Sequence, residues 1–438
     1  MGGLAIWMNG ELVGTWSAGD GRGHVFDYAE SWPQSERSRP LSLSMPLTAS
    51  LRVRGPAVEN YFDNLLPDSD AIRKRIRNKF GTRSTEAFDL LAAIGRDCVG
   101  AAQLMPVGEE PPDIRRVDYE PLSEEEVEKI LRGVSASPAF GGAATDDFRI
   151  SIAGAQEKTA LLNLDGAWCR PQGATPTTHI MKLPLGHLPQ FNADFTTSVE
   201  NEWLCGKILS EFGLTVAESS VLDFGKQRVL AVERFDREWI EPTNKKKRYL
   251  LRLPQEDMCQ ALGVSPNKKY ESEGGPGMKA CLDILGNSEA PWLARIEFVL
   301  AQLGFWLLAA PDGHAKNFSI FLHRGAKYSP TPLYDVLSAW PFIGKSAGKV
   351  AYQNLKLAMA IRSKNPHYEF GEIETRHWKG LAEQAGEGAW EGMQEMVGNV
   401  RPALKRVEAE LPDGFPAQVW DTISAGVRKH AAKFMRGV

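Results

Sequence analysis

Between Asp312 and Asn317 the chain places an acid, an imidazole, an ammonium and an amide in one short run, P-D-G-H-A-K-N-F (311–318). Asp312 and Asn317 stand five apart. A carboxylate can orient an attacking hydroxyl and accept its proton, while an amide oxygen at this spacing can help hold magnesium on nucleotide phosphates. Further on, Y-D-V-L-S sets Asp335 just after Leu333-Tyr334 and a turn at Pro332. Magnesium takes one or two carboxylates plus phosphate oxygens, so Asp335 is the natural metal carboxylate. Each aspartate alone reads as a turn or helix-cap residue. Together with His314, Lys316 and Asn317 they read as a phosphoryl-transfer site. His314 has no second His or Cys at ligand spacing, which argues against zinc and leaves a structural or phosphate-contacting role.

Upstream, Lys182 ends the apolar run T-H-I-M-K-L-P, where a buried lysine is costly unless an acid or a nucleotide phosphate pairs with it. Snorkelling at a strand end is the alternative. Glu202 or Glu200, in the next helix, could supply the acid. The segment F-R-I-S-I-A-G-A-Q-E-K-T-A-L-L has two apolar arms about the small-residue turn Ala153-Gly154-Ala155. Such a turn admits phosphate close to the backbone, although an ordinary hairpin would look the same. It is not a Walker A loop, because Glu157 stands where glycine should precede Lys158. In V-L-A-V-E-R-F-D an apolar strand runs into Glu233-Arg234-Phe235-Asp236. An inter-lobe hinge of this kind, or a plain strand end, fits that pattern.

The elements that must position these groups are legible in outline. Residues 4–30 alternate apolar and polar, with turns at Asn9-Gly10 and Gly19-Asp20-Gly21, which predicts short antiparallel strands. Helices follow over E-N-Y-F-D-N-L-L, then A-I-R-K-R-I-R capped by Asp68 or Ser69, then A-F-D-L-L-A-A-I ending at Gly95. Ser123 with Glu126 forms a capping box ahead of V-E-K-I-L. Strands are expected over 148–163, 176–185 and 229–236, with a helix from Ser198 to Phe212. The remainder reads as mostly helical, with loops at 271–277 and 311–335. This gives an N-terminal accessory region (1–147), a sheet-rich lobe (148–240) and a helical lobe (241–438).

A length of 438 residues allows two or three cores, and a net charge of -4 excludes coating nucleic acid by charge alone. The five cysteines are scattered and never in C-x-x-C spacing, which favours reduced thiols over disulfides or a zinc site. The start of the chain lacks a signal-peptide pattern, and the apolar stretch Phe298–Ala310 falls short of the ~20 residues that span a bilayer. A cytoplasmic protein with no membrane partner is expected.

Taken together, these segments resemble the HipA family of toxin kinases over nearly the whole chain. The N-terminal region carries the likeness in W-M-N-G-E-L-V-G, R-P-L-S-L-S-M-P-L, Y-F-D-N-L-L-P-D-S and I-G-R-D-C-V-G-A. Later strings that carry it are A-G-A-Q-E-K-T-A-L-L, A-V-E-R-F-D-R, L-L-R-L-P-Q-E-D-M-C-Q, D-G-H-A-K-N-F-S and Y-D-V-L-S-A. The resemblance implies an α+β, two-lobed, protein-kinase-like fold related to phosphoinositide-3/4-kinases, and the use of ATP and magnesium. It implies a phosphate loop of Ala153, Gly154, Ala155, Gln156, Glu157 and Lys158, and phosphate contact at Lys182. It places Glu233, Arg234 and Phe235 at the adenine, and makes Asp312 catalytic. His314, Ala315, Lys316, Asn317, Tyr334 and Asp335 would complete the nucleotide site, with Asn317 and Asp335 on magnesium. Ser151 matches a serine at which such kinases phosphorylate and disable themselves. The family also implies a helix-turn-helix (HipB-like) antitoxin, operator DNA bound mainly through that complex, and an aminoacyl-tRNA synthetase substrate, glutamyl-tRNA synthetase first. Arg376 and Lys379 could approach DNA there, or form a solvated helix face. Pro311 departs from the polar residue that relatives carry before the aspartate.

Overall fold

The computed structural model describes residues 2–19, 23–109, 113–135, 156–188, 193–243, 247–344 and 349–438. Ser151, the turn Ala153-Gly154-Ala155 and the first arm of the expected hairpin lie outside them. The chain is α+β. Among the described residues no helix is long and apolar enough to cross a membrane.

The alternating N-terminal segment forms an antiparallel sheet of Leu4–Met8, Glu11–Gly19, Gly23–Tyr28, Arg52–Arg54 and Ala102–Pro106, with Leu4–Met8 between Glu11–Gly19 and Ala102–Pro106. Asn9 and Gly10 both adopt positive φ, the backbone that a tight hairpin turn requires. The inward residues Trp16 and Phe26 pack on Phe62 of the helix Pro56–Asp63, with the Trp16 and Phe62 rings stacked at 4.0 Å. Ser69, rather than Asp68, caps the helix Asp70–Phe80 by accepting from the Ile72 amide at 3.4 Å. That leaves Asp68 free for other work.

A six-stranded antiparallel sheet follows, ordered Ser219–Phe224, Gln227–Glu233, His179–Lys182, Lys158–Leu164, Ala167–Pro171 and Tyr119–Pro121. The helix Glu124–Ser135 lies against it through Val127 and Leu131, and its Ser123–Glu126 capping box is formed. The helix Ser198–Glu211 packs between this sheet and the helical region, which explains why it is buried on most sides. Gly304 lets the long apolar helix Pro291–Leu307 approach it, because a Cβ there would come within 2.6 Å of Leu209.

The region after residue 241 is less helical than its sequence suggests. A three-stranded sheet (Gln255–Asp257, Ser319–Leu322, Tyr328–Pro330) and a hairpin (Lys356–Arg362 with Pro366–Glu369) are inserted among the helices. Strands of three or four residues are too short to show a period of two, and the run L-A-M-A-I is apolar on both faces.

Two buried polar features join the N-terminal region to the rest. Asp97 accepts from Thr177 (2.8 Å), Arg237 (2.8 Å), Arg234 (3.1 Å) and Arg252 (3.1 Å), and Asp236 pairs with Arg234 at 2.8 Å. Burial opposes ionisation of Asp97, but the Arg237, Arg234 and Arg252 guanidiniums outweigh it and hold the carboxyl well below its usual range. Asp97→Asn strands buried cations and is expected to cost about 3–5 kcal/mol, read by urea denaturation at pH 7. A loss below about 1 kcal/mol would show that the network contributes little.

Glu256 is the second feature. One carboxyl oxygen accepts from the Leu43 amide at 2.8 Å, while the other is buried without a partner. Burial pushes its pKa up to about 8. A group whose folded pKa is raised gives stability that is complete below its unfolded pKa, roughly 4.3, and is lost as pH rises through about 8. Glu256→Gln is therefore expected to flatten the pH dependence of the melting temperature from pH 5 to 9, with a gain at pH 9 on the order of 1–3 kcal/mol. Parallel curves for the two proteins would refute the protonated carboxyl.

Candidate active site

The register of the six-stranded sheet places Lys158 directly opposite Lys182, so both side chains leave the same face. Lys182 ends its strand buried, with its ammonium on Glu202 and, at 2.9 Å, on Asp335. Glu200, one turn-face away, pairs instead with Arg228 at 3.0 Å. The open choice between the two glutamates therefore resolves to Glu202. Burial disfavours charge on Lys182, but Asp335 and Glu202 outweigh it and keep the ammonium protonated far above neutrality. Lys158 has burial against it and a second ammonium nearby, only partly offset by Asp335, and falls to about 8. On Asp335 burial is again opposed and overcome, by Lys182 and Lys158, so its carboxyl stays ionised well below the usual range. Asp335 has φ +60, a strained backbone for a residue that is not glycine.

The helix Pro291–Leu307 ends in Leu308, Ala309 and Ala310, all buried, and delivers the polar loop from a rigid base. Asn317 donates from Nδ2 to the Asp312 carbonyl at 2.7 Å, which spends the amide nitrogen and leaves the oxygen as the group able to take a cation. Tyr270 donates its hydroxyl to Asp312 Oδ1, and its ring meets His314 edge-on at 5.0 Å. His314 lies 3.5 Å from the Asp312 carboxylate, too long for a hydrogen bond, and both its ring nitrogens are buried without a hydrogen-bond partner. Burial lowers its pKa, so the ring is neutral at pH 7. The Tyr334 hydroxyl, next to Asp335, donates to the Lys316 carbonyl at 3.1 Å, which puts the two acidic loops beside one another.

Asn317 and Asp335 fit magnesium. They offer an amide and a carboxylate, hard oxygen ligands, with the second carboxylate oxygen of Asp335 outside the Lys182 contact. Among the described residues no group of three or more His, Cys, Asp or Glu converges, as a dedicated all-protein cage would need.

Comparison with known proteins decides the family. The HipA N-terminal domain family matches residues 4–105 and the HipA-like C-terminal domain family matches 150–408. The chain belongs to the HipA family. Y4mE of Sinorhizobium fredii is 32% identical over 94% of this chain and 93% of its own. The serine/threonine-protein kinase toxin HipA of Shewanella oneidensis is 28% identical over 71% of this chain and 69% of its own. A solved complex of Shewanella oneidensis HipA, HipB and operator DNA superposes with TM-score 0.80 at 23% identity, over 99% of this chain and 97% of that one. It shares the fold.

Within this HipA-family chain, the residues singled out from sequence divide by position. Lys158, Lys182, Asp312, His314, Asn317 and Asp335 meet in one cluster, with Ala315 buried beneath the loop. Phe235 lies 5.8 Å from the Tyr334 ring, and the Tyr334 hydroxyl is held by Ser319 at 2.6 Å. Gln156 donates to the Leu183 carbonyl at 2.7 Å, while Glu157 pairs with Arg75 of the N-terminal region. Glu233 is exposed. The Arg234 side chain turns into the Asp97 network, while its amide donates to the Thr178 carbonyl at 2.8 Å and its carbonyl accepts from the Arg237 amide at 3.1 Å. Lys316 points to Asp68 at 2.6 Å. Arg376 and Lys379 are exposed on the helix Thr375–Ala385. Asp68, Lys269 and Tyr270 join the site without being predicted for it. Asp68 shows in the sequence only within Y-F-D-N-L-L-P-D-S and as an alternative cap to Ser69, and Lys269 and Tyr270 reach the site from a loop with no motif.

Proposed function

We propose that this chain is an ATP- and magnesium-dependent protein serine/threonine kinase, the toxin of a HipA–HipB-like toxin–antitoxin pair, with a two-lobed fold related to phosphoinositide-3/4-kinases. The observation that carries the reading is the buried Lys182–Glu202–Asp335 cluster beside the Asp312–Asn317 loop. Asp312 accepts the proton of a serine hydroxyl as its oxygen bonds the γ-phosphorus and the bond to ADP breaks. Lys182 and Lys158 supply positive charge for the phosphates, and Phe235 with Tyr334 lines the adenine end. Asn317 and Asp335 would hold magnesium, which supplies charge neutralisation on the phosphates.

The substrate in this reading is an aminoacyl-tRNA synthetase, glutamyl-tRNA synthetase first, whose modification arrests growth and leads to drug tolerance. Phosphate on Ser151 would switch the enzyme off, because a dianion beside the phosphate loop repels ATP. The chain would also co-repress its operon with a helix-turn-helix antitoxin. The assembly of the Shewanella oneidensis protein with HipB and operator DNA supports that partner class. A silent co-repressor, or a small-molecule kinase, would lack protein phosphorylation. Purified protein incubated with Mg·ATP and a panel of synthetases is expected to place phosphate on a synthetase serine and on its own Ser151, located by mass spectrometry. Absence of phosphate from every protein in the mixture, the chain itself included, would reject the kinase.

A further inference from the structure

We propose that Asp68, supplied by the N-terminal region, is a positioning residue of the phosphoryl-transfer site that acts through Lys316 and Lys269; the inference rests on the kinase reading above. Each oxygen of its carboxylate takes one ammonium, Lys316 at 2.6 Å and Lys269 at 2.8 Å. Burial works against the Asp68 charge, but Lys316 and Lys269 outweigh it and lower the carboxyl pKa to about 2.

The two lysines belong to the two segments that bond Asp312. Lys316 sits in the short turn Ala315–Asn317, next to the amide that bonds the Asp312 carbonyl. Lys269 precedes Tyr270, whose hydroxyl bonds the Asp312 carboxylate. One carboxylate from the N-terminal region therefore ties together both segments that bond Asp312.

Helix capping does not account for Asp68, because Ser69 performs it. Nor does a surface ion pair, since the Lys316 side chain is 4% exposed and that of Asp68 13%. Buried ammonium groups do not stay unpaired. Deprived of Asp68, Lys316 would turn toward Asp257, which already feels its charge, and Lys269 toward Asp312 and Asp335, whose fields reach it. The Lys269 movement places a competing cation on Asp312 or Asp335, and the Lys316 movement pulls on the turn that carries Asn317. A shift of about 1 Å in such a group can cost 10²-fold in rate.

The test uses the full chain, phosphatase-treated, and follows transfer of labelled phosphate from Mg·ATP onto the protein itself. Fluorescent ATP-analogue binding and thermal melting serve as controls. Asp68→Asn is expected to slow transfer at saturating ATP at least tenfold, with the nucleotide dissociation constant within about threefold of wild type, and Asp68→Glu is expected to regain most of the rate. In a Lys316→Met/Lys269→Met background, adding Asp68→Asn should slow transfer by no more than about threefold, because both groups through which it acts are gone. That triple variant leaves no unpaired cation at position 316 or 269, and it carries the test should Asp68→Asn alone not fold. Transfer by folded Asp68→Asn within twofold of wild type, or the same tenfold loss in both backgrounds, overturns the inference. A wild-type protein that transfers no phosphate indicts the kinase reading instead.

Discussion

Asp312→Ala is expected to lower phosphate transfer by about 10³-fold or more at saturating Mg·ATP while leaving the melting temperature within a few degrees of wild type. The two halves of that expectation have separate causes. The carboxylate is 47% exposed and makes one hydrogen bond, to Tyr270, so little packing is lost with it. The contact that shapes the loop, from the Asn317 amide at 2.7 Å, goes to the Asp312 main-chain carbonyl and survives truncation. In the proposed kinase, what disappears is the acceptor for the serine proton. Nucleotide affinity should change little, because the lysines, the hinge backbone and the Asn317 amide remain. Label incorporation by the variant at a tenth of the wild-type rate or faster would remove Asp312 from the role of base.

How far this site could be read from sequence depended on whether its parts were local. Asp312, His314 and Asn317 occupy one loop, and their spacing alone brought them together. Lys182 was visible because an ammonium at the end of an apolar strand demands a partner. Which glutamate answers it is not visible, since Glu200 and Glu202 share a helix and are both buried, and only the packing of that helix turns Glu202 toward Lys182 and Glu200 toward Arg228. Arg234 misled for the opposite reason. Beside Phe235 it reads as a hinge residue, yet its guanidinium is spent on Asp97, an acid of the N-terminal region. Asp68, Lys269 and Tyr270 come from separate segments, and no periodicity links them to the loop they hold. The same logic applies to the fold. The alternating strands and capped helices of the first half carry local signals, whereas the three-stranded sheet around Ser319–Leu322 exists only because Gln255–Asp257 and Tyr328–Pro330 happen to flank it.

Asp335→Asn removes a charge and almost nothing else, and so isolates the role of the second carboxylate. Asparagine tolerates the left-handed backbone at this position, φ +60, better than alanine would, so the turn is expected to hold. Lys182 keeps Glu202 as its counter-charge. Lys158, already down at about 8, loses the acid that props it up and moves further toward neutrality, which weakens its hold on phosphate at pH 7. In the proposed kinase two effects therefore add: a lost metal carboxylate and a weakened phosphate lysine. Transfer is expected to fall about 10³-fold or more, and raising magnesium tenfold should no longer tighten nucleotide binding as it does in the wild type. The second readout separates this variant from Asp312→Ala, in which magnesium should still strengthen nucleotide binding. If magnesium tightens nucleotide binding equally in Asp335→Asn and the wild type, Asp335 is a counter-ion for the two lysines and not a metal ligand.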